Sequence, residues 1–322
     1  MVQKEIEAVR QAILQTDNIL IACHVRPDGD TLGSALALSL ALRKIGKTAC
    51  VVSADGVPEP WSFIPHSAEV LREAPKKKFG LAIGVDADGI SRLGDAAAAL
   101  ESAPVVVSID HHSGSSPFGD IRVHDTKAAA AAELVYALII ALGLEIDRDI
   151  ACCLMAGLVG DTGGFRFPNV TPRTFEIAAE LARAGASSSD IAKRVYEDRG
   201  LTATKVLGHV LAGLRTTAKG RIVWGRVSKK DFEKLGADDT HTEGVVNYIR
   251  AVQGSKVGLL FREAPNGTVR VSLRSNQGID VAGIARTFGG GGHPAAAGCT
   301  IESDLETAEK LVVEEVLKWM DS

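Results

Sequence analysis

Four short polar runs in this 322-residue chain carry side chains suited to holding cations, and each interrupts an apolar stretch. HVRPDGDTLGS supplies His24, Asp28 and Asp30, and GVDADG supplies Asp86. The triplet Asp110-His111-His112 is the third run, and GLVGDTGG supplies Asp161. His24, Asp28, Asp30, Asp86, His111 and Asp161 together offer four carboxylates and two imidazoles. Four carboxylates in one crevice repel each other, and some would have to take up protons. Two divalent cations would cancel that charge, four positive against four negative. A pair of ions ~3.5–4 Å apart is suited to phosphoester hydrolysis. Oxygen donors mixed with imidazole suit manganese better than magnesium, and cobalt would also fit. Each run alone has a plainer account. Asp-Gly-Asp favours turns, His24 reads as a core histidine, Asp86 as a helix cap and Asp161 as another turn.

What converts the four runs into one site is the pattern of elements around them. NILIACH (18–24), KTACVVS (47–53), GLAIGVD (80–86) and PVVVSID (104–110) are short apolar runs rich in β-branched residues, which read as buried strands. TLGSALALSLALRKIG between the first two is a helix closed by Gly46. Helical stretches follow at Ala128–Leu142, Ile150–Val159 and Pro172–Ala184. Strands alternating with helices predict an α/β fold, a doubly wound and mostly parallel sheet. In such a sheet the carboxyl ends of the strands line one crevice, where ligands bind. His24, Asp86 and the Asp110 triplet each follow a strand, so they fall at that edge.

New strand signals begin at RIVWGRV (221–227), KVGLLFR (256–262) and TVRVSLR (268–274), and LETAEKLVVEEVLKWM closes the chain as a helix. The expected division is a metal-binding domain at 1–185, a helical connector at 186–215 and a second, smaller α/β domain at 216–322. Apolar residues make up 46% and charged residues 24%, as in an ordinary folded protein rather than a disordered one. The net charge of −4 argues against a long groove for duplex nucleic acid. Five scattered cysteines without C-x-x-C spacing exclude a zinc ribbon and a disulfide framework, which points to the reducing cytoplasm. The amphipathic N-terminus is not a signal peptide. Residues 128–146 are apolar but contain Glu133, and read as a buried helix, not a membrane span.

His24-x-x-x-Asp28-x-Asp30, the lone Asp86, Asp110-His111-His112 and Asp161 resemble the four motifs of the DHH phosphoesterase superfamily. GGGGHPAAAG (Gly289–Gly298) resembles the signature of the DHHA1 domain that accompanies it. The likeness spans both domains in order and is nearest to the nano-RNase branch, compact enzymes acting on very short oligonucleotides and the bisphosphate pAp. It implies one metal on His24, Asp28 and Asp86 and another on Asp30, Asp86, His111 and Asp161, with Asp86 shared. It also implies that His112 faces the scissile phosphate and that Asp110 orients the histidines. Arg92 stands where such proteins often have an arginine, and an ion pair accounts for it equally well.

Recognition of substrate falls to the second domain. Gly290, Gly291 and Gly292 form a loop whose backbone N–H groups can approach an anion, and His293 follows it. Arg270 and Arg274 share a strand face. Arg274 and Asn276 are the candidate phosphate contacts, together with His293, and Arg270 reads equally as solvated. Phe165 and Phe167 offer stacking on a base or core packing. The expected partners are short oligonucleotides or nucleotide bisphosphates, with no membrane, and a homodimer is compatible with the alanine-rich helix. Competing readings are a family II pyrophosphatase, a cyclic-dinucleotide phosphodiesterase and a non-catalytic nucleotide-binding regulator. The first lacks support in the GGGGHP motif, and the last should have lost a ligand.

Overall fold

The computed structural model describes residues 2–112, 116, 118–276 and 278–321; the side chains of His293 and Asp321 lie outside the described ones. The chain divides into two compact units, Met1–Asp198 and Arg199–Ser322.

In the first unit, helix α1 (Gln3–Leu14) leads into β1 (Asn18–Cys23), α2 (Gly29–Lys44) and β2 (Thr48–Val52). Then come β3 (Leu81–Val85), α3 (Ala96–Glu101), β4 (Val106–Asp110) and β5 (Ile121–His124). Helices α4 (Ala131–Ala141), α5 (Arg148–Asp161), α6 (Pro172–Arg183) and the short α7 (Ser188–Ala192) complete it. The sheet order is β2-β1-β3-β4-β5, and every pairing is parallel. β1, β3 and β4 are apolar and buried almost throughout because both faces are covered. α2, α4 and α5 form the larger core on one face, while α3 with Phe79, Leu93 and Phe118 closes the other. This is the doubly wound architecture expected from the sequence. β5 is the strand the apolar pattern does not disclose, since IRVH is short and mostly half-exposed.

The chain leaves β1 in one direction towards β2 and in the other towards β3, β4 and β5. The strand order therefore reverses between β1 and β3, and a crevice opens at their carboxyl ends. Asp28 caps α2 there, its Oδ1 accepting the N–H groups of Asp30 and Thr31. Thr31 fastens the crevice: its hydroxyl accepts the His24 N–H at 3.3 Å and donates to the Val85 carbonyl at 2.9 Å. One side chain thus ties the end of β1, the start of α2 and the end of β3.

α5 must lie close against α2 to bring Asp161 to the same place. Two glycines permit this. A Cβ at Gly33 would sit 2.2 Å from the Cys153 carbonyl oxygen, and one at Gly157 would sit 2.6 Å from Asp30 Oδ1. No helix among the described residues is long and apolar enough to cross a membrane.

The second unit opens with α8 (Leu201–Ala212), β6 (Arg215–Thr217), β7 (Ile222–Val227), α9 (Lys229–Leu235) and α10 (Val245–Arg250). It continues through β8 (Val257–Glu263), β9 (Val269–Ser275), α11 (Val281–Arg286), β10 (Gly291–His293), β11 (Ala296–Ile301) and α12 (Leu305–Asp321). Its mixed sheet runs β10-β11-β9-β8-β7-β6, with only β7 and β8 parallel. One face packs under α11 and α12, and the other under α8, α9 and α10. The stretch 186–215 divides between the units, α7 packing in the first and α8 in the second.

Replacing Gly33 with alanine forces its new methyl against a helix backbone that cannot rotate away. G33A should lower the unfolding free energy by about 1–3 kcal/mol, read in urea as a lower midpoint at unchanged slope. An unchanged midpoint would mean that α2 and α5 can separate without cost.

Candidate metal centre

The six expected ligands converge at the switch point. His24 follows β1 directly and is 5% exposed, with Nε2 3.4 Å from Asp86 Oδ2 and 3.7 Å from Asp28 Oδ1. On the other side, His111 Nε2 lies 3.5 Å from Asp86 Oδ1, 3.0 Å from Asp161 Oδ2 and 3.8 Å from Asp30 Oδ2. The ligand atoms of His24, Asp28 and Asp86 fit within 4.8 Å of one another, and so do those of Asp30, His111 and Asp161. Asp86 stands between the two groups, with one carboxylate oxygen turned to each.

Local structure explains how each side chain is aimed. Asp86 has φ 58°, a left-handed conformation uncommon for a residue with a side chain. Its N–H donates to the Ile109 carbonyl of β4 at 2.8 Å, which holds that turn in place. Asp30 is fully buried and accepts the N–H groups of Ala131 at 2.6 Å and Ala132 at 3.0 Å, at the amino end of α4. Those orphan donors and the helix dipole favour a carboxylate there. The Ala128 carbonyl fixes the His111 ring through Nδ1 at 3.2 Å, and the Val25 carbonyl does the same for His24 at 2.9 Å. A partner on Nδ1 leaves Nε2 as the ligand nitrogen. Asn169 donates to the carbonyls of Ala129 and Asp161, tying the loop after α5 to the segment that holds His111.

The charge arrangement is unfavourable without cations. Burial opposes charge on His24, but its bonds to Asp28 and Asp86 prevail and push its pKa up to about 11. In the same way His111 is pushed up to about 12 by Asp161 and Asp86. Burial raises Asp30 and Asp161, each aggravated by neighbouring carboxylates. Asp86 moves the other way: burial is overcome by both histidines, which hold it well below the usual carboxylate range. In the metal-free chain, protons on two imidazoles occupy the place of positive charge. Asp86 Oδ1 and His111 Nε2, both buried, make no hydrogen bond among the described residues. These two atoms make ion-pair contacts only, and in an oxygen and imidazole set such atoms fit divalent ions.

His112 stands beside the ligands. Asp110 Oδ1 bonds its Nδ1 at 2.7 Å, and Asp86 Oδ1 is 3.6 Å away. Burial would lower the His112 pKa, but the bond to Asp110 and the charge of Asp86 raise it. Asp110 therefore positions His112, whereas a main-chain carbonyl positions His111. Arg92 makes its ion pair with Asp88 at 3.4 Å. Sequence patterns gave no sign of Thr31, Asn169 or Gly157, whose work is done across the fold. Nor did they disclose Arg26, left-handed at φ 53° with its N–H held by Asp55 at 2.6 Å.

In the second unit Arg274 is half-buried on β9, and its Nη1 donates to the Leu273 carbonyl at 3.0 Å. No carboxylate pairs with it among the described residues. Burial, then Arg250 and Arg262, lowers its pKa. Arg262 and Arg270 instead share Asp239, at 3.1 and 2.7 Å. Asn276 is committed by its amide to the carbonyls of Ser255 and Arg250. The glycine run is not simply a loop, because Gly291–His293 is edge strand β10 against β11. A Cβ at Gly290 would meet the Gly298 carbonyl at 2.2 Å, and one at Gly292 the Ala296 carbonyl at 2.5 Å. Packing against β11 demands both glycines, whereas Gly291 faces open space. The His293 side chain lies outside the described residues.

The N-terminal domain profile of the DHH family matches residues 18–158, and the DHHA1 domain profile matches residues 197–322. A Thermus thermophilus protein named bifunctional oligoribonuclease and PAP phosphatase NrnA is 35% identical over 303 residues, 92% of this chain and 89% of that protein. The Bacillus subtilis protein of the same name is 32% identical over 302 residues, 92% of this chain and 93% of that protein. Among solved structures, an exopolyphosphatase-related protein from Bacteroides fragilis superposes with a TM-score of 0.94 at 25% identity. That match covers 98% of this chain and 96% of the other.

Metal ligation requires neutral imidazole, so ions entering this site must displace the protons on His24 and His111. Both pKa values are raised, so the protons are in place at neutral pH and affinity should rise with pH. Calorimetric titration of the metal-free protein with Mn²⁺ at pH 7 should give a heat that changes with the ionisation enthalpy of the buffer. A heat independent of buffer would contradict the charge state derived for the two histidines.

Proposed function

Because this chain belongs to the DHH family of metal-dependent phosphoesterases and carries a DHHA1 domain as its second unit, we propose that it hydrolyses short oligonucleotides and the bisphosphate pAp. The observation that carries this reading is Asp86, one of whose oxygens completes a set with His24 and Asp28 while the other faces His111 of the set Asp30, His111 and Asp161. We assign His24, Asp28 and Asp86 to one divalent ion and Asp30, Asp86, His111 and Asp161 to a second, with manganese preferred by the donor set. When bound, such ions lower the pKa of coordinated water and neutralise charge on the phosphate.

The protein's own groups complete the chemistry. His112 stands beside the ligand crevice with its ring fixed by Asp110, whose bond, together with the charge of Asp86, raises its pKa and favours the protonated form. It can stabilise charge on the phosphoryl oxygens or donate that proton to the departing oxygen. This role is lost as pH rises through its folded pKa. Arg274 supports recognition because a guanidinium without a carboxylate partner among the described residues is suited to a phosphate held through two parallel bonds. The edge strand β10 adds backbone groups that sheet pairing does not use, with Gly291 leaving room for an anion to approach.

With Mn²⁺ present, the protein should release phosphate from pAp and mononucleotides from dinucleotides, and chelation should stop both. His112→Ala should lower turnover about 10²-fold or more while elemental analysis finds the metal content unchanged. Metal loss in that variant would mean that His112 is a ligand. Absence of turnover on all short substrates would defeat the assignment of activity.

A further inference from the structure

The loop that follows Asp161 is built more rigidly than a connection between two helices requires. Gly163, Gly164 and Phe165 are consecutive left-handed residues, with φ of 60°, 68° and 64°. For a bulky side chain this conformation is an outlier that persists only when its surroundings impose it. Thr162 imposes it here. Its hydroxyl accepts the Phe165 N–H at 2.9 Å, and its carbonyl accepts the N–H groups of Arg166 and Phe167. Asn169 then anchors the end of the loop to the Asp161 carbonyl at 3.1 Å. The loop is thus fixed to a ligand of the candidate metal centre at both its start and its end.

The strained turn delivers the Phe165 ring onto Phe175, with centroids 5.7 Å apart and planes 23° from parallel. Phe175 lies on α6, whose buried face is Thr174, Ile177 and Leu181, so its ring belongs to the opposite side and is 56% exposed. Phe165 packs partly on the core and serves as the base of the pair. The neighbouring Phe167 is turned back against Gly163, and Arg166 against the Tyr196 ring. The strained loop thus holds an aromatic pair open to solvent, its Phe165 member four residues beyond the proposed ligand Asp161. Flat exposed rings bind nucleobases by stacking, whatever the base, because every base has a π-face.

We propose that the Phe165–Phe175 pair is a stacking platform for a nucleobase of the substrate. This rests on the nucleotide-hydrolase reading above and deepens it, by assigning base recognition to the catalytic unit itself. Stacking is indifferent to sequence, which is the behaviour required to degrade short chains of any composition.

The test compares Phe175→Ala and Phe175→Tyr with the wild-type protein, all as full chains with Mn²⁺. Binding of a dinucleotide carrying 2-aminopurine is followed by fluorescence, which stacking quenches. Hydrolysis of pApA is compared with that of an analogue in which one base is replaced by an abasic tetrahydrofuran. The wild-type protein should quench the probe, F175A should not, and F175Y should restore quenching. The preference for pApA over the abasic analogue, in kcat/KM, should fall about tenfold in F175A. No quenching by the wild-type protein, or an unchanged substrate preference in F175A, would overturn the platform. Quenching that depends on Phe175 in a protein without turnover would instead uphold the platform and sink the assigned hydrolysis.

Discussion

Four carboxylates, two of them buried, cannot share one crevice as anions without positive charge among them, and most of the first unit is arranged around that constraint. The crevice exists because strand order reverses between β1 and β3. What fills it with acid is the chain's choice of residue at each strand end and helix start. Asp28 caps α2 and Asp30 lies in its first turn, Asp86 follows β3, and Asp161 ends α5. His24 and His111 stand on either side of Asp86 and relieve the repulsion with protons, the place that the proposed ions would take.

Stability and function pull in opposite directions at this point. Asp86 holds an uncommon backbone conformation, Asp30 is fully buried among other carboxylates, and Asp86 Oδ1 and His111 Nε2 make no hydrogen bond among the described residues. The remainder of the fold compensates. The amino end of α4 supplies N–H groups to Asp30. Thr31 ties the two central strand ends together, and the close α2–α5 contact packs Gly157 against Asp30. Neutralisation by divalent ions, as proposed, would relieve a local destabilisation that the apolar core, large and well covered on both faces of the sheet, can sustain.

Much of this is legible in the sequence because the same residues that carry the chemistry also end the strands. An apolar run closed by Asp or His is at once a strand signal and a ligand signal, as at Asp86 and Asp110. What stayed hidden depends on contacts between distant segments. Gly157 reads as an ordinary helical glycine until Asp30 is placed beside it, and Asn276 reads as a phosphate contact until Ser255 and Arg250 claim its amide. β5 is too short and too exposed to give a periodic signal. The glycine run reads as a loop because glycine weakens every strand pattern, although pairing with β11 is what two of those glycines permit. Phe165 could be suspected of stacking, but its partner Phe175 could not, since nothing in the spacing says that α6 turns that residue outward.

The central claim is that one shared carboxylate organises two cations. Anomalous scattering at the manganese edge, from crystals of the full chain grown with Mn²⁺, tests it most directly. The account requires two peaks, each touching Asp86, one also beside His24 and Asp28 and the other beside Asp30, His111 and Asp161. A single peak away from Asp86, or none at all while the protein turns over substrate, would contradict it.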